Sequence, residues 1–96
     1  MDLNVTHHPN AAMGEFTIER DGTRVAQLNY ARHGRRVELL HTEVDASLRG
    51  HGAGNRLVEA AVDWARAEQL QVVPLCPFAK AVIAKTPELA DVLAAS

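Results

Sequence analysis

The sequence predicts an α+β fold in one domain, residues 1–96, with an antiparallel β-meander followed by a β-α-β-α segment. Three observations predict it. Apolar and polar residues alternate in the first half, which is typical of half-buried strands, and turn residues divide the alternating runs. After a glycine-rich loop, the apolar residues recur at helical spacing instead. A chain of 96 residues is long enough for one hydrophobic core and too short for two.

Alternation and turn signals predict the meander. Phe16 and Ile18 alternate with polar residues, and Asp21-Gly22 is a strong signal for a tight hairpin. A weaker alternating run and a second turn lead to the clearest strand, Val37–Val44. The meander is predicted to have three or four strands. They are a strand around 15–19, a strand at 25–30 and, after a turn at His33-Gly34, the strand at 37–44, with or without an edge strand at 4–8.

Helical periodicity begins after the glycines. Leu57, Ala61 and Trp64 fall on one face of a helix, so we expect an amphipathic helix with Trp64 in the core. The apolar run Gln71–Leu75 is too short for a helix and suits a central strand.

Proline residues indicate where the last helices begin. Pro77 suits the first position of a second helix running towards Lys85, because its fixed φ and missing N–H cost nothing there. Thr86-Pro87 predicts a short final helix in the same way. Phe78, in the first turn of the second helix, is expected in the core.

Composition and charge exclude several classes of protein. A net charge of −2 argues against a general nucleic-acid binder, which needs a basic face. No run of about 18 apolar residues is present, so no membrane span is predicted. The first residues lack the basic and apolar regions of a secretory signal, so a cytoplasmic protein is expected.

The cysteine and histidine content predicts no metal site. The single cysteine excludes an intrachain disulfide, and no histidine lies at zinc-ligand spacing from it. His7-His8 has two interpretations, an adventitious metal site or a solvated strand end, and the second is favoured.

The loop Arg49-Gly50-His51-Gly52-Ala53-Gly54 predicts a phosphate site at a helix start. The first backbone N–H groups of a helix lack partners and carry about half a positive charge. Glycines allow a phosphate to approach that backbone closely. The first predicted turn holds Asn55 and Arg56 and no acid before Glu59, so a bound anion would complement the helix dipole. The alternative is an ordinary helix start with solvated arginines.

The spacing of this loop distinguishes between phosphate ligands. It is neither a P-loop nor the Gly-x-Gly-x-x-Gly of a Rossmann fold. It matches Arg/Gln-x-x-Gly-x-Gly/Ala, as Arg49-x-x-Gly52-x-Gly54. With His41-Thr42-Glu43-Val44 and Pro74-Leu75-Cys76-Pro77-Phe78, the chain resembles a minimal, single-domain branch of the GNAT superfamily of acetyl-CoA-dependent N-acetyltransferases.

The resemblance implies a compact GNAT-like fold in which the strands Val37–Val44 and Gln71–Leu75 form a splayed parallel pair. It implies acetyl transfer from acetyl-CoA to an amine, with no metal. Backbone groups near Val44 would polarise the thioester carbonyl. The coenzyme A diphosphate would be held by the glycine loop and the first helical turn, namely Arg49, Gly50, His51, Gly52, Ala53, Gly54 and Asn55.

Three side chains of the strand before the glycine loop are candidates for proton transfer. Strict alternation puts His41 and Glu43 on one face of the strand and Glu38 on the other. Glu38 lies where some members of the superfamily carry a glutamate base. His41 has the ordinary pKa best suited to base catalysis near neutrality, and its alternative role is a structural strand histidine. Glu43 is expected to be solvated.

Cys76 is a further catalytic candidate, from outside this strand. With Pro77 as the first helical residue, Cys76 occupies the N-cap, where unpaired N–H groups and the helix dipole favour a thiolate. Lys80 adds positive charge one turn later. Such a cysteine serves either as a nucleophile or as a proton donor to the departing thiolate. The alternative is a small buried residue that packs the junction of sheet and helix.

The acceptor is not readable from the sequence. Members of the superfamily usually carry N-terminal helices that form one wall of the acceptor cleft, and the sequence predicts none here. We therefore expect an open site for a small-molecule or protein amine, in a monomer or weak homodimer. The alternatives to an enzyme are a non-catalytic module that binds or senses coenzyme A or its acyl thioester, and a scaffold for protein contacts.

Overall fold

A computed structural model describes residues 3–48 and 50–94. Five strands form one mixed sheet, in which neighbouring strands follow one another along the chain; the first four are antiparallel, and the fourth pairs with the fifth in parallel. This confirms the predicted α+β class and meander. The elements are β1 Val5–His8, β2 Met13–Arg20, β3 Thr23–His33, β4 Arg36–Val44, α1 Ala53–Ala67, β5 Gln71–Pro74 and α2 Pro77–Lys85, with 3-10 turns at Ala46–Leu48 and Pro87–Val92.

Local backbone geometry explains where the elements end. Asp21 and Gly22 both have positive φ, 52° and 79°, as the predicted tight hairpin between β2 and β3 requires. Two residues after the end of helix α1, Gln69 has a positive φ of 58°. There the N–H of Leu70 donates to the Ala65 carbonyl at 2.7 Å, and that of Gln69 to the Arg66 carbonyl, which closes the helix as a Schellman motif.

The core lies between the sheet and α1, which contacts all five strands. The face of the sheet that α1 covers, called the inner face here, carries Phe16, Leu28 and Leu39, each at most 2% exposed. Leu57 and Ala61 of α1 pack against it, as their helical spacing predicted. Burying one such leucine or phenylalanine contributes roughly 1.5–3 kcal/mol. No helix in residues 3–48 or 50–94 is long and apolar enough to cross a membrane.

An aromatic cluster holds the edge strand β1 to the core. The His7 ring stacks on Phe16 at 4.1 Å and meets Trp64 edge-on at 4.7 Å. Its Nε2 lies 2.6 Å from the hydroxyl of Tyr30, which is buried. The expectation of a solvated strand end is therefore wrong for His7. His8 faces the other way and bonds to the buried Thr17 through Nε2 and Oγ1, 2.9 Å apart.

The position of His7 predicts a pH dependence of stability. Burial, and then the neighbouring His8, lower the pKa of His7 below its ordinary 6.5. The unfolded chain therefore binds more protons than the folded one below about pH 6.5. The free energy of unfolding consequently decreases as the pH falls from there. Urea unfolding between pH 7.5 and 5 should show the loss, and His7→Phe should flatten it. Equal slopes in the two proteins would contradict the assignment to His7.

A β-bulge in β4 sets the orientation of the candidate residues. Asn29 pairs with His41 and Tyr30 with Leu39, so Leu40 is the extra residue. After the bulge, the alternation of β4 is inverted. Glu38 therefore lies on the same face as His41 and Glu43, the outer face that α1 does not cover. The prediction that Glu38 points to the opposite face from His41 is wrong, because it assumed an unbroken alternation.

The parallel strands separate just beyond the bulge, as the GNAT-like fold predicts. The pairing of β4 with β5 ends at Leu39 and Pro74. The Leu39 carbonyl then accepts the N–H groups of both Leu75 and Cys76, at 3.0 and 2.9 Å, where the chain turns into α2. Residues 40–44 of β4 continue beyond the last β5 pair, which leaves a gap between the two strands.

Candidate active site

A cleft of about 330 Å³ opens at the amino end of α1, beside the end of β4. It brings together most of the residues predicted to hold the diphosphate, together with two that were not predicted, Leu48 and Phe78. Arg49 lies outside the described residues. The residues that line the cleft are Val44, Leu48, Gly50, Gly52, Ala53, Gly54, Asn55 and Phe78.

The backbone around the first two glycines faces open space. Gly50 and Gly52 have φ of 86° and 76°, and a Cβ built on either would meet no atom within 4 Å. Gly52 is the N-cap of α1, and no side chain caps the helix. The first helical bond runs from the Arg56 N–H to the Gly52 carbonyl, so the amides of Ala53 and Gly54 precede it. This end of α1 can therefore accept an anion at its backbone.

Gly54 has a different reason to be glycine. It already belongs to α1, and a Cβ there would lie 2.5 Å from the ring of Phe78. The ring thus bridges the first turns of α1 and α2. Phe78 was expected in the core, but it is 41% exposed and lines the cleft. That expectation is wrong because the missing side chain of Gly54 gives the ring a place at the surface.

Few charged side chains enter the cleft from the described residues. The first turn of α1 contains no acid, as the sequence indicated. Arg56 is bonded instead to Glu59 one turn later, 3.0 Å away. His51 is exposed and does not line the cleft. Among the described residues, the electrostatic attraction for an anion here comes mainly from backbone amides and the helix dipole.

The free edge of β4 turns two backbone N–H groups into the gap between the strands. The Asp45 N–H donates to the Val25 carbonyl on β3, at 2.8 Å. Because successive residues of a strand point their amides to opposite sides, the N–H groups of Val44 and Thr42 point away from β3, into the gap. Donors in this position suit a carbonyl oxygen on which negative charge develops.

Cys76 lies at the closed end of this gap. It is the N-cap of α2, and Pro77 is the first helical residue, as predicted. Its Sγ is 3.4 Å from Oγ1 of Thr42. The side chain is only 5% exposed, and it does not line the cleft at the glycines.

The surroundings of Cys76 favour its thiolate. Burial raises the pKa of the thiol, but hydrogen bonds from the Thr42 hydroxyl and from the backbone N–H groups of Ala79, Phe78 and Thr42 act in the opposite direction. The net pKa is lower than the ordinary value. A helix N-terminus is known to activate cysteines in this way.

The other catalytic candidates lie on the outer face of the sheet. The Nε2 atom of His41 is 2.9 Å from Oε1 of Glu43, and both side chains are more than half exposed. Glu38 contacts His33 at 3.3 Å. Thr42, which touches Cys76, points to the inner face, so His41 and Cys76 lie on opposite sides of the sheet. The structure does not bring the three candidates together.

A second groove, of about 460 Å³, adjoins the cleft and shares Val44 with it. Its lining is more strongly charged than that of the cleft. Within residues 3–48 and 50–94, no group of three or more metal-ligating side chains is found here or elsewhere. The groove is lined by Arg24, Val25, Ala26, Gln27, Thr42, Glu43, Val44 and Asp45.

Three residues of this site escaped the sequence analysis. Leu48 was not considered for the cleft, and Thr42 was quoted within a motif but not considered as a site residue. Phe78 was assigned to the core from its residue type. A signal for Thr42 was present: Leu39-Leu40 puts two apolar residues in succession, which is where a bulge inverts the alternation.

Comparison with known proteins identifies the family. The model of a family described as GCN5-related N-acetyltransferase matches residues 15–92. The solution structure of a GCN5-like protein from Staphylococcus aureus is similar to this chain, with a TM-score of 0.75 and 27% identity, over 98% of this chain and 90% of that one. No curated protein sequence matches the chain.

More distant structures share the fold alone. The ribosomal-protein-S18-alanine N-acetyltransferase from Escherichia coli has a TM-score of 0.68 at 16% identity, and the likeness covers 80% of this chain and 53% of that one. AAC(6')-Iy, solved with the bisubstrate analogue CoA-S-monomethyl-acetylneamine, has a TM-score of 0.59 at 14% identity, over 91% and 68%. The family match covers most of the chain, and the splayed strands and the glycine loop agree with it. The chain therefore belongs to the GCN5-related N-acetyltransferase family and is an N-acetyltransferase.

Proposed function

We propose that this protein transfers the acetyl group of acetyl-CoA to an amine, and that the acetyl group passes through Cys76. One observation carries the proposal. The amino end of α1, the gap between β4 and β5, and the Cys76 sulfur adjoin one another along a short stretch of β4. These are the three places that the diphosphate, the thioester and a nucleophile would occupy.

The cleft at the glycines is the proposed site for the diphosphate. Its supporting features are the open space above Gly50 and Gly52 and the first amides of α1. The pantetheine arm would then run along the free edge of β4. The N–H group of Val44 would bind it there and stabilise negative charge on the thioester oxygen. Arg49, His51 and Asn55 stay predicted contacts of the diphosphate.

The proposed chemistry has two steps. The Cys76 thiolate attacks the thioester carbonyl, the bond from that carbon to the coenzyme A sulfur breaks, and coenzyme A leaves as a thiolate that takes up a proton. A neutral amine then attacks acetyl-Cys76, and the cysteine leaves as thiolate while the amine loses a proton. His41 and Glu38 lie on the outer face, so they would act as bases only for an amine that approaches from that side.

The groove that shares Val44 with the cleft is the proposed approach for the acceptor. Glu43 and Asp45 give it carboxylates that suit the ammonium form of an amine before it is deprotonated. A small molecule and a lysine or amino terminus of a protein fit this description equally. We propose that the protein works as a monomer or weak homodimer in the cytoplasm, without nucleic acid or membrane.

One observation favours a second function, a non-catalytic module that binds or senses coenzyme A or its acyl thioester. The side chain of Cys76 is only 5% exposed and does not line the cleft. A sulfur held in that way would report or stabilise a bound thioester without accepting its acyl group. The two functions share the binding site and differ only in turnover.

A pair of measurements tests the proposal. Coenzyme A at 100 times its Kd should add about 2.7 kcal/mol of stability, which raises Tm by roughly 10 °C or more in a domain of this size. Intact-mass spectrometry after incubation with acetyl-CoA should find one acetyl group on the protein, which a panel of amines discharges. Stabilisation without an adduct or any acetylated amine would favour the sensor. Absence of stabilisation would contradict both functions.

A further inference from the structure

We propose that Thr42 is a positioning residue for acetyl transfer: its hydroxyl and backbone N–H hold the Cys76 sulfur at the amino end of α2, facing the gap between β4 and β5. The catalytic part of this inference rests on the proposed function of Cys76. The contact itself rests on geometry alone, since Thr42 Oγ1 lies 3.4 Å from the sulfur.

The bulge in β4 is the reason that Thr42 reaches Cys76. Leu39 faces the inner side, where it pairs with Tyr30, and Thr42 faces the same side, where it pairs with Leu28. In a regular strand two residues three positions apart would face opposite sides. The extra residue, Leu40, turns Thr42 inwards and His41 outwards. Bulges often re-aim a side chain next to an active site, and this one aims a hydroxyl at the sulfur.

The main chain brings a second donor to the same sulfur. The amide of Thr42 points away from β3, into the gap, and like the amides of Phe78 and Ala79 in the first turn of α2 it acts to lower the pKa of the Cys76 thiol. The sulfur therefore lies between β4 and the first turn of α2. Among these groups only the Thr42 hydroxyl belongs to a side chain, so it is the one that a substitution can remove.

A hydroxyl suits a sulfur that changes its protonation state. It accepts a hydrogen bond from the S–H group of the thiol and donates one to the thiolate, so the contact persists in both states. The Cys76 side chain is almost fully buried, and without donors such a position would disfavour the charged sulfur. Thr42 would therefore keep the sulfur reactive in a place from which water is largely excluded.

The test titrates the single cysteine without any acetyl-CoA. Thiolate absorbance near 240 nm, read against Cys76→Ala as blank, measures its ionisation directly. Thr42→Val keeps the shape and removes the hydroxyl, and the thiolate fraction at neutral pH should fall about tenfold. Thr42→Ser should stay within about twofold of the natural protein. Thr42→Ala replaces the valine variant if circular dichroism finds that one unfolded.

Thr17→Val is the matched control, because Thr17 is a buried threonine whose hydroxyl bonds to His8 and not to Cys76. It should leave the Cys76 titration unchanged. In turnover assays Thr42→Val should lower kcat about tenfold, leave KM for acetyl-CoA unchanged, and move the pH profile to higher pH.

The outcomes separate this inference from the proposed function. A Thr42→Val titration like that of the natural protein overturns the role of Thr42, even if acetyl transfer occurs. Equal effects of the serine and valine variants also overturn it, since the hydroxyl is then irrelevant. The expected titration with no transfer by any variant overturns the proposed function, and the catalytic role of Thr42 with it.

Discussion

Gly52→Asp is expected to weaken coenzyme A binding by at least about 100-fold, because like charges brought together in a binding site cost several kcal/mol. The new carboxylate would occupy the position proposed for the diphosphate. It would also complement the dipole at the amino end of α1, which contains no acid in its first turn. Isothermal titration calorimetry with coenzyme A measures the loss.

The fold should survive this substitution. Gly52 has φ 76°, a region that aspartate tolerates better than most residues, and its Cβ would point into open space. We expect a change in the free energy of unfolding of about 1 kcal/mol, since strain and the favourable dipole interaction act in opposite directions. Urea unfolding checks this.

Gly34→Asp is the matched control. Gly34 has φ 61° and open space around its Cβ, but it lies in the hairpin turn between β3 and β4 and not in the cleft. It carries the same new charge and similar backbone strain, so it should bind coenzyme A as the natural protein does. Undiminished binding by Gly52→Asp would mean that the diphosphate does not bind at the start of α1.

The elements of the fold were predictable because their signals are local. Alternation around Phe16 and the pair Asp21-Gly22 specify a hairpin within a few residues. Pro77 marks the first position of α2 by its own geometry. The positive φ of Gly50 and Gly52 is also a local property, which explains why a glycine loop at the start of α1 could be predicted from the sequence.

The orientations that matter for the site depend on contacts distant in sequence. Pairing with β3 decides that Leu40 bulges, and this decides which of Glu38, His41 and Thr42 face the sulfur. Similarly, the ring of Phe78 is at the surface because Gly54, on another helix, leaves room for it. The pair Leu39-Leu40 indicates where a bulge can form, but residue type and period do not specify the pairing that forms it. The cleft was therefore predicted and the group beside Cys76 was not.

His7 gives a third example of the same limit. A histidine at the end of an edge strand is usually solvated, and the sequence offers no sign that three aromatic side chains meet there. Phe16, Tyr30 and Trp64 come from β2, β3 and α1, and only the packed sheet and helix bring them around His7. The contact with the hydroxyl of the buried Tyr30 then gives this histidine a defined place beside the core.

Replacing Cys76 is expected to lower kcat by about 100-fold or more, since a side chain that carries the reaction contributes on this scale. Binding of coenzyme A should persist, because Cys76 does not line the cleft at the glycines. Steady-state kinetics of Cys76→Ala, together with calorimetry, separate turnover from binding.

Cys76→Ser distinguishes a chemical role from a structural one. Serine is among the preferred N-cap residues, so α2 should begin as well as before or better. Its hydroxyl can still bond to Thr42, yet it does not ionise near neutral pH as a thiol does. A serine variant with kcat within a few-fold of the natural protein would reduce Cys76 to a packing residue.

Whether Cys76 carries an acetyl group distinguishes two chemical roles of its sulfur, nucleophile and proton donor. As a nucleophile, Cys76 should carry an acetyl group when no amine is present, and the kinetics should be ping-pong. As a proton donor to the departing coenzyme A, it should carry none, and both substrates must be bound before any product leaves. Both substitutions are expected to lower kcat in either case, so only the adduct and the kinetic pattern distinguish the two mechanisms.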